Sequence, residues 1–356
     1  MKEIQMGDFD KYGFQNKNQL IQSLKVTNLD NKTIGQLVEV SKNCIWLETH
    51  LVDEDEIPLG ETKIGGLPDL PIDIKWPIKS ASIESENYHK ELEHDISDAF
   101  NEMMKLIPSD QVNLFRESHN NNQARPKSGY PLSFVAQINF AKIIDNNLDE
   151  DFPKSGRLWI FYDNVEQPWG YDNVHTQGAS VIFSESENLE RKLPPSDDEF
   201  FNNYCKFKPL KIIQHQCITP IPYYYPDFCS LNIDESQGEA YWDWWMEDEE
   251  VYSSENGTNY RCHRIGGWPT PIQGDMQTIC EVVSQGYYTG DSIGYKKAKE
   301  DGANKHADQW VLLAQIGTDE KADILWGDSG QIYIWIKRED LKNRHFDKAR
   351  IQLQCY

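Results

Sequence analysis

The feature that most constrains the fold of this chain is that three landmarks occur twice, in the same order, about two hundred residues apart. The first is a glycine turn, KIGGLPDLP from Lys63 and RIGGWPTPI from Arg264. Each places a basic residue and Ile before two glycines, an apolar residue and proline, a pattern for a tight reversal with positive φ within reach. The second is an apolar run, PLSFVAQINF at 131–140 and QWVLLAQIGT at 309–318, with Ala-Gln-Ile in common. Runs this apolar over so few residues predict core strands. The third is an aromatic, β-rich return entered through Ser-Gly, SGRLWIFYD at 155–163 and SGQIYIWIK at 329–337. Three landmarks in register read as an internal duplication.

The expected organisation follows from that spacing. Residues 1–33 form an N-terminal extension, 34–195 a first unit and 196–356 a second, with the boundary in the Pro- and acid-rich ERKLPPSDDEFFNN at 190–203. The first unit carries a helical insertion at 80–128, where Tyr88, Leu92, Ile96, Phe100, Met103 and Ile107 recur at helical spacing before Pro108. In the second unit Ile279, Val282 and Val283, then SIGYKKAKEDG, predict two shorter helices ending at Gly286 and Gly302. Either unit alone would leave apolar strand faces bare, so the two are expected to share one core in an α+β, mainly β fold.

Composition narrows the functions open to such a fold. Thirty-five basic against fifty-eight acidic residues give a net charge of −23, which repels phosphate backbones and anionic membranes and disfavours nucleic acid as a partner. The acids are clumped at 53–56, 145–151, 196–199 and 234–250, and such blocks can serve as landing surfaces for a partner. No apolar run approaches the ~20 residues that span a bilayer, and the N-terminus lacks a signal-like stretch, so the expected location is the cytoplasm. Seven cysteines cannot all pair within one chain and none forms a C-x-x-C knuckle, so reduced, packed thiols are expected.

KIGGLPDLP with Trp76-Pro77, PLSFVAQINFA, GRLWIFYD, Trp169-Gly170, IGGWPTPIQGDM and WVLLAQIGTD with ILWGDSGQIYIWI together resemble the YwqG-like family of bacterial proteins, from about residue 40 to the C-terminus. The resemblance implies an α+β, mainly β fold with internal similarity. It implies no reaction; some members of that family are associated with toxin gene neighbourhoods.

No Walker loop, G-x-G-x-x-G, H-E-x-x-H, G-x-S-x-G or EF-hand spacing occurs. His89 with Glu93, His215 with Cys217, and Cys262-His263 each lack a second ligand pair, so no metal and no cofactor is expected. The segment TDEKADILWGDSGQIY is the best ligand-site candidate: Trp326, Asp328 and Ser329 lie on a turn between core strands, where the first unit has Phe152-Pro153-Lys154 instead. Gln273 and Asp275 of IQGDM show the same asymmetry and are expected to face that turn, with Asp319 as a further carboxylate. The plain alternative is an ordinary Asp-Ser-Gly turn with Gly330 at positive φ. A second candidate is AYWDWWMEDEE, where Trp242 and Trp245 share a helical face with Met246 and Glu247, Asp248, Glu249 and Glu250 crowd around them, as in a protein interface. IPYYYPDF at 221–228 is expected to line the same wall. The leading expectation is a module that binds a basic protein partner, in the manner of a toxin neutraliser; the rival is an enzyme or small-ligand site at the seam of the two units.

Overall fold

In the computed structural model, which describes residues 14–79, 129–144, 148–196, 198–246 and 263–356, the backbone is dominated by antiparallel strands. In chain order these are β1 (Lys42–Leu51), β2 (Lys63–Ile64), β3 (Asp69–Pro71), β4 (Ile78–Lys79), β5 (Tyr130–Pro131), β6 (Ser133–Asn139), β7 (Arg157–Tyr162), β8 (Ala179–Ser184), β9 (Leu189–Arg191), β10 (Leu210–Thr219), β11 (Arg264–Gly266), β12 (Trp310–Gly317), β13 (Gln331–Lys337) and β14 (Arg350–Gln354). Ten of them form one sheet in the order β14-β13-β12-β11-β1-β10-β2-β6-β7-β8, while β3 pairs with β9 and β4 with β5. The predicted helix between Tyr88 and Ile107 lies outside the described residues.

All ten strands send side chains into a single apolar cluster, from Ile45 and Leu47 through Ile64, Ile138, Leu158, Val181 and Leu210 to Ile265, Leu313, Ile334 and Leu353. One cluster can collect residues from every strand of so wide a sheet only if the sheet rolls around it, and the roll is nearly closed. Phe183 on β8 stacks on Phe346, just before β14, at 4.7 Å, and Leu353 N–H of β14 donates to Trp169 O in the loop before β8.

Both sides of the sheet carry corresponding pairings. Ile64 pairs with Ala136 and Lys63 with Gln137; Ile265 pairs with Ala314 and Arg264 with Gln315. The ladder to the next strand is irregular between Phe134 and Ala136 on one side and between Leu312 and Ala314 on the other. Gln137 Oε1 accepts from Asp69 N–H and Gln315 Oε1 from Thr270 N–H, both at 2.9 Å. Each glycine turn needs its glycines: Gly65, Gly66, Gly266 and Gly267 have φ between +65° and +76°, and a Cβ on Gly65 would stand 2.3 Å from Lys208 O. The two long central strands cross over. β1 lies against β11, β10 against β2, and β1 and β10 pair along ten residues from Lys42↔Thr219 to Leu51↔Leu210.

Helices cover the outside. α1 (Lys17–Leu24) and α2 (Asn31–Glu39) are capped by Asn16 and Asp30, and Leu20, Leu24, Ile34 and Leu37 pack with Tyr241 and Trp244 over β12 and β13. The expected extension is therefore continuous with the outer layer, and Phe14 exchanges both backbone hydrogen bonds with Ile218 of β10. α3 (Glu199–Tyr204) rises inside the stretch expected to be a boundary loop: Asp198 accepts from Phe201 N–H, and Phe201 is buried against Trp76. α4 (Pro226–Cys229), α5 (Glu235–Met246), α6 (Met276–Ser284), α7 (Ser292–Glu300) and α8 (Arg338–Lys342) are the other α-helices among the described residues. The turns after α6 and α7 put Gly286 and Gly302 at positive φ, as the sequence predicts. Among the described residues no helix is long and apolar enough to cross a membrane.

Candidate functional site

The Trp-Gly-Asp-Ser-Gly turn is a structural joint. Trp326 is fully buried in the interior cluster, edge-on to Tyr162 at 5.5 Å and Phe207 at 5.6 Å. Gln167, in the loop after β7, grips the turn with both ends of its amide: Nε2 donates to Leu325 O at 2.9 Å and Oε1 accepts from Gly327 N–H at 2.8 Å. Positive φ falls on Gly327 (+52°) and Ser329 (+54°), not on Gly330 as expected. Gly330 is required for another reason, since a Cβ there would meet Gln354 O at 2.2 Å. Asp328 and Ser329 are exposed, and the Asp328 side chain makes no hydrogen bond among the described residues. Gln273 is also exposed, with its N–H on Gln354 Oε1 at 2.9 Å. No described cavity brings Trp326, Asp328 and Gln273 together.

A matching grip holds the corresponding turn of the first half. Arg338, at the start of α8, donates to Asp149 Oδ2 at 2.9 Å and Asp151 Oδ2 at 2.7 Å, and Arg344 donates to Asp151 O at 2.7 Å. Each half thus clasps the turn of the other, with an amide on one side and guanidinium groups on the opposite side.

Asp319 is buried in a polar lock between β1 and β12. Its carboxylate accepts from Thr49 Oγ1 at 2.7 Å and lies 3.4 Å from His263 Nε2, while Gly317 N–H donates to His263 Nδ1 at 3.2 Å. Burial works against its charge, but the His263 hydrogen bond and charge, with Thr49, hold the carboxyl below its ordinary range. His215 faces Glu48 at 2.7 Å and stacks on Trp46, and Cys217 is buried opposite Cys44. Among the described residues no group of three or more His, Cys, Asp or Glu is arranged to hold a metal ion.

Asp275 is the predicted site residue that opens onto a cavity. It caps α6, with Oδ1 accepting from Gln277 N–H at 2.9 Å and Thr278 N–H at 3.3 Å. The cavity, about 300 Å³, lies between α4, α6 and α7 and is lined by Asp275 with Tyr224, Cys229, Tyr295 and Lys299 among others. Burial pushes the Asp275 carboxyl up, the Asp227 charge adds to this, and the capping hydrogen bonds oppose it. Burial and then the Asp275 charge push the Tyr295 phenol up. An acid beside two phenol rings in a partly dry cavity is an environment that gains from receiving a cation.

Tyr224 also belongs to an aromatic platform on the adjoining surface. Its ring lies 4.8 Å from Tyr223 and 5.2 Å from Trp242, which is 5.3 Å from Tyr223, and Tyr224 is 59% exposed. Trp242 and Trp245 part company here. Trp242 is half-buried on the platform, whereas Trp245 is buried with Tyr241 and Trp244 and packs the helix onto the sheet. Glu247, Asp248, Glu249 and Glu250 lie outside the described residues. The acid block expected at 234–250 is in part a feature of the helix itself, a row the sequence reading did not single out. Glu235, Glu239 and Asp243 are exposed at i, i+4 spacing on α5, and Glu239 and Glu235 are among the charges that push the Tyr223 phenol up, after burial and Tyr224. Their spacing of four was the signal, since it puts three like charges in one row.

A family model described as a domain of unknown function, DUF1963, matches residues 62–355. The chain belongs to this family. No curated protein matches it. The DUF1963 match includes both clasps, the Asp275 cavity and the Tyr224 platform. It begins after β1, although β1 is the strand that joins β10 to β11 in the middle of the DUF1963 sheet. The family description assigns no activity, so the function has to be argued from the site.

Proposed function

We propose that this protein binds a basic segment of a protein partner on the face formed by α4, α5, α6 and α7. The observation that carries this reading is that Tyr224 belongs both to the exposed platform with Tyr223 and Trp242 and to the cavity in which Asp275 lies. A Lys or Arg side chain entering the cavity would meet Asp275 between the Tyr224 and Tyr295 rings. The flanking chain would lie on the platform beside Glu235, Glu239 and Asp243, whose mutual repulsion a basic partner relieves. The net charge of −23 would speed the encounter. Neutralisation of a basic toxin, which the resemblance to the YwqG-like family suggests, is one form of this activity. A ligand site around Trp326, Asp328, Ser329 and Gln273 is the weaker reading, because the Trp326 ring is in the core and Gln167 occupies the turn.

Titration calorimetry with a lysine-rich peptide, and with the same peptide fully acetylated, tests the proposal. Asp275→Asn removes the charge yet keeps a good capping side chain, so the fold should hold while affinity falls about tenfold. Trp242→Ala should weaken binding similarly, and Glu185→Gln with Glu187→Gln in the loop after β8 should not. Equal binding by wild type and Asp275→Asn, or no preference for the unacetylated peptide, defeats the reading.

We also read the chain as two copies of one unit, residues 34–195 and 196–356. The corresponding registers, the ladder irregularity ahead of Ala136 and Ala314, and the Gln137 and Gln315 hydrogen bonds support that reading.

A further inference from the structure

A second cavity, about 670 Å³, occupies the seam where β8 approaches β14, on the opposite flank of the sheet order from the central β1–β10 ladder. Its charge contrasts with the rest of the chain. Lys337, Arg344, Lys348 and Arg350 line it against Asp340 and Asp347, in a protein of net charge −23. Two of the cations are committed to ion pairs, Lys337 to Glu281 at 2.8 Å and Lys348 to Asp340 at 2.6 Å. Arg350 is not. It is half-buried, and of its five N–H donors a single one is engaged among the described residues, Nη2 on Asn173 Oδ1 at 2.7 Å. Burial works against its charge, with only Cys280 and Glu281 supporting it.

The facing strand adds donors. Asp163 N–H bonds to Gly178 O, and the β7–β8 ladder runs without a shift, so Ser180 and Ile182 direct their backbone groups at β7. The N–H groups of Val181 and Phe183 therefore face the seam, where no described residue accepts from them. The Phe183 and Phe346 rings stack at 4.7 Å across part of the gap, so side chains already bridge it there. The space suits a compact molecule with an apolar body, since Phe183, Phe346 and Trp310 supply aromatic wall and the volume falls in the range of small-ligand sites.

We propose that this seam binds a small amphiphilic organic anion, its carboxylate, sulfonate or phosphate group on Arg350 and its apolar part against Phe183 and Phe346. Anilinonaphthalene sulfonate is a direct probe of that chemistry, and neutral N-phenylnaphthylamine is the control for its charge. The full-length protein should bind the sulfonate saturably, at one site and at least tenfold more tightly than the neutral dye, with affinity falling as salt rises. Arg350→Gln should weaken the sulfonate about tenfold and leave the neutral dye unchanged, with near-UV circular dichroism unaltered. If Arg350→Gln does not fold, Lys348→Glu at the exposed mouth decides: a threefold or greater loss of sulfonate affinity supports the site, and unchanged affinity overturns it. The proposal also falls if sulfonate binding does not saturate, if the two dyes bind equally, or if Arg350→Gln weakens both alike.

Discussion

Lys42 stands at the first position of β1 with Nζ 3.3 Å above the Trp268 ring and the Asp227 carboxylate as its main opposite charge. Burial outweighs that charge and pulls its pKa down from 10.5 to about 8, while the ring face offsets part of the desolvation. Because the folded value lies below the unfolded one, the unfolded chain holds the proton more tightly between about pH 8 and 10.5. The cost of carrying the charge is therefore fully present below pH 8 and is relieved as pH rises through that window. Lys42→Met should be more stable than wild type at pH 7 by ~1–3 kcal/mol, and the difference should vanish near pH 10.5. Urea unfolding of both proteins across this range measures it. A difference that does not change with pH would mean that the Lys42 charge is already compensated in the fold.

At the scale of elements the two clasps make a paired prediction. Gln167→Ala removes both bonds to the 325–327 backbone and should cost ~1–2 kcal/mol, with roughly tenfold faster amide exchange at Gly327. Arg338→Ala, at a half-exposed ion pair, should cost a similar ~1–2 kcal/mol and loosen 149–151 instead. The clasps share no partner, so the double mutant should show the sum within ~0.5 kcal/mol; a marked departure would reveal coupling through the core. Strands β6, β7, β12 and β13 were legible in the sequence because each is a short run apolar on both faces, with β7 and β13 entered through Ser-Gly. The neighbours of β1 and β10 were not, because partner choice between long strands depends on contacts far away in the chain. Asp275 was legible as a polar residue of interest, but its companions come from elsewhere, Tyr224 from the turn before α4, Cys229 from α4 and Tyr295 from α7, and no local pattern places them beside it. Trp242 and Trp245 share a helical face in projection, yet only Trp245 is buried with Tyr241 and Trp244, while Trp242 meets the Tyr223 and Tyr224 rings at the surface.

For the molecule as a whole, the crossing of β1 and β10 predicts that neither half folds alone. In a fragment of residues 34–195, β1 and β2 have no common neighbour, since β10 stands between them in the sheet. That fragment, and likewise 196–356, should lack cooperative unfolding and dispersed amide resonances, and mixing the two should restore both. A cooperative transition in either fragment by itself would contradict the shared core. The same crossing bears on ancestry. On the two-copy reading proposed above, β1 and β10 would be equivalent strands, and an antiparallel ladder between equivalent strands maps onto itself under a half-turn, the pattern of an isologous dimer contact. A shorter chain holding one such unit would have to lend its leading strand to a twin and borrow the twin's in return. This polypeptide would then be that obligate homodimer written as one gene. On that reading fusion would release the halves from strict identity, and the Asp275 cavity would belong to one half alone.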